Sequence, residues 1–385
     1  MTIRGRAFIA GVYEHPRREI PDRSVAQLHT EVALGALADA GLGLPDVDAY
    51  FCDSTVGFGP VSMVEYLGLH PRYIDSTEAG GCSYLAHVGH AAAAIAAGRC
   101  EVALISMAGL PRARAEAPVA GSHSPESAFE TLWGMLAASG YALAAQRHMY
   151  EFGTTGAQLA EVKVAASLHA QHNANAFLQK PVTVEEVLAS PMISSPLHRL
   201  DCCVITDGGG ACVVVSPEVA RSLDRPSVKV LGQAEAVKHT ENGRVDLTCT
   251  GAATTGPRAF EEAGVRPVDV DYVSIYDCFT ITVLLTLEDL GFCAKGDGGR
   301  FVMDGRLVAP TGGLPFNTDG GGLCNNHPSH RGGMTRIIEA VRQLRDEAEP
   351  AVQVPDCQIA LAHGTGGSFG TRMASSTLIL GREDA

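Results

Sequence analysis

The sequence has no CxxC pair, no HExxH helix, no Walker lysine beside its glycine-rich GTGGSFGTR stretch and no GxGxxG near its start. These absences argue against a zinc ribbon, a zincin, a P-loop NTPase and a Rossmann-type opening. Basic residues are scarce, with 29 Lys and Arg against 43 Asp and Glu and a net charge of −14. That balance disfavours a nonspecific DNA or RNA binder, although one local cation or helix N-terminus can still hold a phosphate. No apolar run reaches the roughly 20 residues of a membrane-spanning helix. The opening MTIRGRAFIAGVYEHP lacks the apolar segment and cleavage pattern of a secretory signal, so a cytoplasmic location is expected. The 11 cysteines follow no regular framework, and Cys202 and Cys203 are adjacent. They read as reduced, mostly buried small residues, with no metal ligand set.

What the chain does have is length and apolar content. Its 385 residues, 46% of them hydrophobic and 43 of them glycine, suit a folded protein of one or two domains with many close backbone approaches. Residues 6–12 read as a strand and residues 24–40 as an amphipathic helix ending at Gly41. The pattern then recurs. LADAGLGLPDVDAYFC is matched by FEEAGVRPVDVDYVSIYDCF, with Gly41 to Asp48 and Gly264 to Asp271 equally spaced. RCEVALISMAGLP is echoed by DCQIALAHGTGG, and ACVVVSP by STLILGR. Two α/β units of similar order are expected, residues 1–225 and 226–385, with an insertion over about 109–200 in the first.

Three segments carry candidate chemistry. In EAGGCSYLAHVGHAAAAIAAG, Cys82 lies between two glycines and an alanine-rich helix. It is either a thiol activated at a helix start or a small buried residue. In SIYDCFTITVLLTLEDLGF, Tyr276 and Asp277 occupy a strand-to-helix corner, where α/β sheets bind ligands. Tyr276 is a proton-transfer group or a packed phenol. In PFNTDGGGLCNNHPSHRGGMTRIIEAVRQLR, the candidates are Asn317, Asn326, His327 and His330. His327 precedes Pro328, which restrains its backbone. His169 and His172 have the spacing of a metal pair, but no carboxylate set accompanies them, and packing is the expected role.

Taken in order, these segments together with HRLDCCVITDGGGACVVV and HGTGGSFGTRMASSTLIL resemble the thiolase superfamily, in its sterol-carrier-protein-type branch, over almost the whole chain. The resemblance implies an α/β fold of two similar halves in five layers (α-β-α-β-α). It also implies a homodimer and an acyl-coenzyme A ligand. No tightly bound cofactor is implied, because coenzyme A arrives with the substrate. The sequence departs from the family in its catalytic cysteines. Counting back without a gap from Gly98, the family's nucleophilic cysteine falls on Gly81; a one-residue gap would place it on Cys82. The second family cysteine falls on Gly364, Tyr276 replaces the usual Asn or His, and the GHP histidine is kept as His327. A thiolase-like site that lacks the nucleophile but carries this tyrosine is similar to the coenzyme A ester retro-aldolases of steroid side-chain degradation. In these, Tyr276 and His327 would be catalytic, and Asn317, Asn326, His330 and Gly364 would contact substrate. The branch often works with a zinc-ribbon/OB-fold companion that carries its own zinc. An acyltransferase using Cys82, or a noncatalytic acyl-coenzyme A-binding subunit, is the alternative.

Overall fold

The computed structural model describes residues 2–114, 137–239, 241, 244–328, 332–369 and 371–383. The first half opens with β1 (Phe8–Glu14) and α1 (Val25–Ala40). Ser24 caps α1 by accepting from Gln27 N–H at 3.1 Å, while the Gln27 side chain accepts from Ser24 N–H at 2.8 Å. Gly41 closes the helix at φ 72°, a left-handed conformation that glycine adopts without Cβ strain. There follow β2 (Ala49–Phe51), α2 (Pro60–Leu67), β3 (Tyr73–Asp75), α3 (Ser83–Ala96) and β4 (Val102–Gly109). The insertion contributes α4 (Ala137–Phe152), α5 (Gly156–Ala170), α6 (Val184–Ala189) and a hairpin of β5 (Met192–Ser194) and β6 (Leu197–His198). β7 (Gly208–Val215) and α7 (Pro217–Ala220) complete this half. The second half comprises β8 (Val228–Lys238), α8 (Ala252–Ala263), β9 (Tyr272–Ile275), α9 (Thr280–Asp289), α10 (Gly298–Phe301), α11 (Gly333–Leu344), β10 (Ile359–Ser368) and β11 (Thr371–Gly381).

Nine strands form one sheet in the order β3-β2-β4-β7-β1-β8-β11-β10-β9. Outward from the β1/β8 seam, the two halves repeat one plan. β1–β7 and β7–β4 are antiparallel and β4–β2 is parallel. Likewise β8–β11 and β11–β10 are antiparallel and β10–β9 is parallel. Residue 225 lies between α7 and β8, next to that seam.

Helices α3 and α11 are shared by both halves. Tyr84, Leu85 and Val88 of α3 and Ile337, Ile338 and Val341 of α11 pack with Ile9, Ile105 and Val214 from one half. The same core includes Ala360, Leu378 and Leu380 from the other. The opposite faces are covered by α1 in the first half and by α8 and α9 in the second. The layers therefore run helix, strands, helix pair, strands, helix. The strands read as continuous apolar runs because both of their faces are covered. This arrangement brings the start of α3, the end of β9, the start of α11 and the glycines of β10 together.

Candidate active site

Gly80, Gly81 and Cys82 form a single turn leading into α3. Gly80 sits at φ +69°, and a Cβ on it would lie 2.9 Å from Gly366 Cα. Backbone meets backbone here, so the local sequence must be small. A Cβ on Gly81 would lie 2.5 Å from Thr365 O, 2.5 Å from Tyr276 Cε2 and 2.6 Å from Tyr276 Cζ. The tyrosine ring occupies the space that a side chain at position 81 would need.

Cys82 does not fill that role. It is buried, and its Sγ–H donates to Ala79 O at 3.1 Å. Burial pushes its thiol up to about 12, so the N-terminal location on α3 does not produce a thiolate near neutrality.

Tyr276 follows β9, and its N–H donates to His363 O at 2.9 Å on the neighbouring strand. Its ring stands edge-on to the His327 imidazole, with centroids 5.2 Å apart and planes at 64°. Burial pushes the phenol well above its ordinary value, with neighbouring Cys278, Cys203 and Asp277 adding to the effect. The resting side chain is therefore a neutral phenol. Tyr141 of α4, Phe279 and Phe369 form an apolar wall in the same cluster; Tyr141 stacks on Phe279 at 4.2 Å.

His327 is delivered by a wide helical turn, Gly321–Asn325. The Asp277 carboxylate accepts from Gly322 N–H at 2.7 Å and Leu323 N–H at 3.0 Å. The residue next to Tyr276 thus anchors the turn that carries His327. A Cβ on Gly322 would lie 3.0 Å from His327 Cδ2, so the imidazole rests directly on this turn. Thr206 holds the exit, donating to Asn326 Oδ1 at 2.8 Å and accepting from His327 N–H at 2.9 Å.

The other sequence-derived residues divide. Asn317 takes the unusual φ of 40° and clamps Ile275, accepting from its N–H at 2.9 Å and donating to its C=O at 2.8 Å. Asn326 is held by Thr206 and donates to Glu14 Oε1 at 2.9 Å. Gly364 is a strand residue opposite Ser376, and a Cβ there would lie 2.9 Å from Cys82 Cα. Both amides are engaged by the protein frame, and the glycine permits close packing of β10 on α3. These contacts brace the chain next to Tyr276 and His327. His330 lies outside the described residues. His169 is buried and accepts from Ala309 N–H at 2.8 Å, a packing role.

Sequence reasoning missed Thr206 and Glu14, whose partners lie 120 and 312 residues away. It also missed Lys163, although this lysine shares a helical face with Leu159, Ala166 and Ala170, all buried. A lone lysine on an apolar stripe was the available signal. Among the described residues, no cluster of three His, Cys, Asp or Glu side chains is placed to hold a metal, and no helix is long and apolar enough to cross a membrane.

Comparison with known proteins agrees with this frame. The family described as "Thiolase C-terminal domain-like" matches residues 234–382. The chain is 34% identical to an acetyl-CoA acetyltransferase of Methanothermobacter thermautotrophicus, covering 94% of this chain and 97% of that protein. It is 33% identical to a steroid side-chain-cleaving aldolase of Thermomonospora curvata, covering 98% of each. The solved structure of the Ltp2-ChsH2(DUF35) aldolase superimposes with a TM-score of 0.88 at 33% identity, covering 99% of both chains. The chain belongs to the thiolase superfamily, in its sterol-carrier-protein-2-like branch.

Proposed function

We propose that this protein is a carbon–carbon lyase. It cleaves a β-hydroxyacyl-coenzyme A by retro-aldol chemistry, giving a ketone or aldehyde and a shortened acyl-coenzyme A. One observation carries the reading: the Tyr276 ring lies where a nucleophile at position 81 would project. Thiolysis needs an acyl-enzyme, and neither Gly81 nor the buried, protonated Cys82 supplies it. The similarity to a steroid side-chain-cleaving aldolase supports a steroid side-chain thioester as the substrate class.

The resting phenol is neutral, so it cannot take a proton without releasing its own. The edge-on imidazole gives that proton a destination. As the Cα–Cβ bond breaks, the β-hydroxyl proton passes to the Tyr276 oxygen and the phenol proton passes to His327. The electron pair of the broken bond becomes the thioester enolate. His327 then protonates the enolate carbon, and both side chains return to their starting state. No resident cofactor takes part in this sequence.

A cytoplasmic homodimer working with a zinc-ribbon/OB-fold companion completes the proposal. The similar aldolase structure, named for two components, supports a companion. The acyltransfer alternative draws on the similarity to an acetyl-CoA acetyltransferase. It requires Cys82 to leave Ala79 O and ionise.

Tyr276→Phe tests the reading. Cleavage is expected to fall by about 10²–10⁴-fold, the usual contribution of a positioned proton-transfer group. The melting temperature should stay near that of the wild type. Turnover by the variant within threefold of wild type would remove the tyrosine from the mechanism.

A further inference from the structure

The turn Gly321–Asn325 has its N–H side held by Asp277 and most of its carbonyl side held by the region around the insertion. Four consecutive carbonyls are satisfied from there. Gly322 O accepts from Val204 N–H at 2.9 Å, Cys324 O from Leu178 N–H at 2.9 Å and Asn325 O from Phe177 N–H at 3.3 Å. Leu323 O accepts instead from the Lys163 ammonium at 2.7 Å, which also donates to Cys324 Sγ at 3.0 Å. This is the only side chain, and the only charge, among the four donors.

Lys163 is 1% exposed. Among the described residues, the lysine ion pairs belong to Lys180 and Lys295, and none to Lys163. An ammonium taken out of water without a carboxylate is costly, and its retention requires a reason. The geometry provides one. The Leu323 peptide N–H points at the Asp277 carboxylate at 3.0 Å, and the Leu323 carbonyl points at Lys163. One residue is thus held from both sides by opposite charges. Gly322, its neighbour, is the bed on which the His327 ring lies. At the entry, a Cβ on Gly320 would lie 2.6 Å from Ala170 Cβ, so α5 also touches the turn through a second residue.

We infer that Lys163 is a positioning residue: its buried ammonium fixes the carbonyl side of the turn and thereby sets the His327 imidazole against Tyr276. The insertion therefore holds the histidine-bearing turn in place. The inference rests on the proposed role of His327, and its test has a readout independent of turnover.

The experiment compares Lys163→Met and Lys163→Gln with wild type in protein carrying ¹³C-labelled histidine. His327→Gln assigns the His327 resonance among the 14 histidines. In both variants the His327 Cε1 resonance is expected to move while most other histidine signals stay in place; glutamine is too short to reach Leu323 O in place. With a steroid β-hydroxyacyl-coenzyme A as probe, kcat should fall about 10–100-fold with KM within threefold, as a displaced catalytic group predicts. If the methionine variant does not fold, the glutamine variant is read alone against the same expectation. An unmoved His327 resonance in a folded variant overturns the inference. A moved resonance in the variants, together with a wild-type protein that shows no cleavage, would overturn the lyase reading and leave the positioning role standing.

Discussion

Replacing Gly81 with alanine adds one methyl group at the point where the fold leaves least room. The new Cβ would meet Tyr276 Cε2 and Thr365 O, each at 2.5 Å, whereas ordinary contact begins near 3.4 Å. The overlap is 3.4 − 2.5, or 0.9 Å, on each side. Thr365 O belongs to β10 and yields little, so the tyrosine ring must take most of the displacement. Overpacking of this kind costs about 1–3 kcal/mol. For 385 residues the unfolding entropy is about 0.8 kcal/mol/K, so the melting temperature should drop by only about 1–4 °C. Activity should respond far more, because a misplacement of about 1 Å at a reacting group costs roughly 10²-fold. The assay is steady-state cleavage of the β-hydroxyacyl thioester, paired with thermal unfolding of the same preparation. A Gly81→Ala protein with kcat within threefold of wild type would refute the placement of the Tyr276 ring as the feature that determines the chemistry.

Two further outcomes follow from the same geometry. Cys82→Ala should keep cleavage within about threefold, and native protein at pH 8 should resist alkylation at Cys82. A thiol held near 12 is about 1 part in 10⁴ thiolate at that pH; rapid labelling of Cys82 and loss of activity together would restore the acyltransfer reading. On α3, His90 bonds Asp75 Oδ2 at 2.5 Å and Glu235 Oε1 at 3.2 Å, and these partners raise its pKa to about 10. The folded value exceeds the free one, so this stabilisation is complete below about pH 6.5 and is lost as pH rises through about 10. After allowance for partial solvent screening it amounts to about 2 kcal/mol. His90→Gln should be less stable at pH 6 and converge with wild type above pH 10; a constant gap across that range would contradict it.

Much of the frame was legible because it rests on local patterns. Glycine at 41 and 264 ends equivalent helices at φ 72° and 66°. The apolar strands between are readable because both of their faces are covered. Tyr276 and His327 stood out as polar groups at a strand end and in a glycine-rich loop, and the fold brings them edge to face. The intramolecular partners of Asn317 and Asn326 were not legible. Their amides face partners set by tertiary packing, Ile275 at a separation of 42 residues and Glu14 at 312. Nor did the residue count around Gly98 reveal why position 81 is glycine. That reason is a ring arriving from another strand, and it appears only when β9, β10 and α3 are brought together.

The most direct test of the lyase account is product analysis with a steroid β-hydroxyacyl-coenzyme A, with and without the zinc-ribbon companion and with no free coenzyme A added. The account predicts equal amounts of a ketone or aldehyde and a shortened acyl-coenzyme A. No cleavage under these conditions, together with coenzyme A-dependent splitting of a β-ketoacyl thioester through an acylated Cys82, would contradict it.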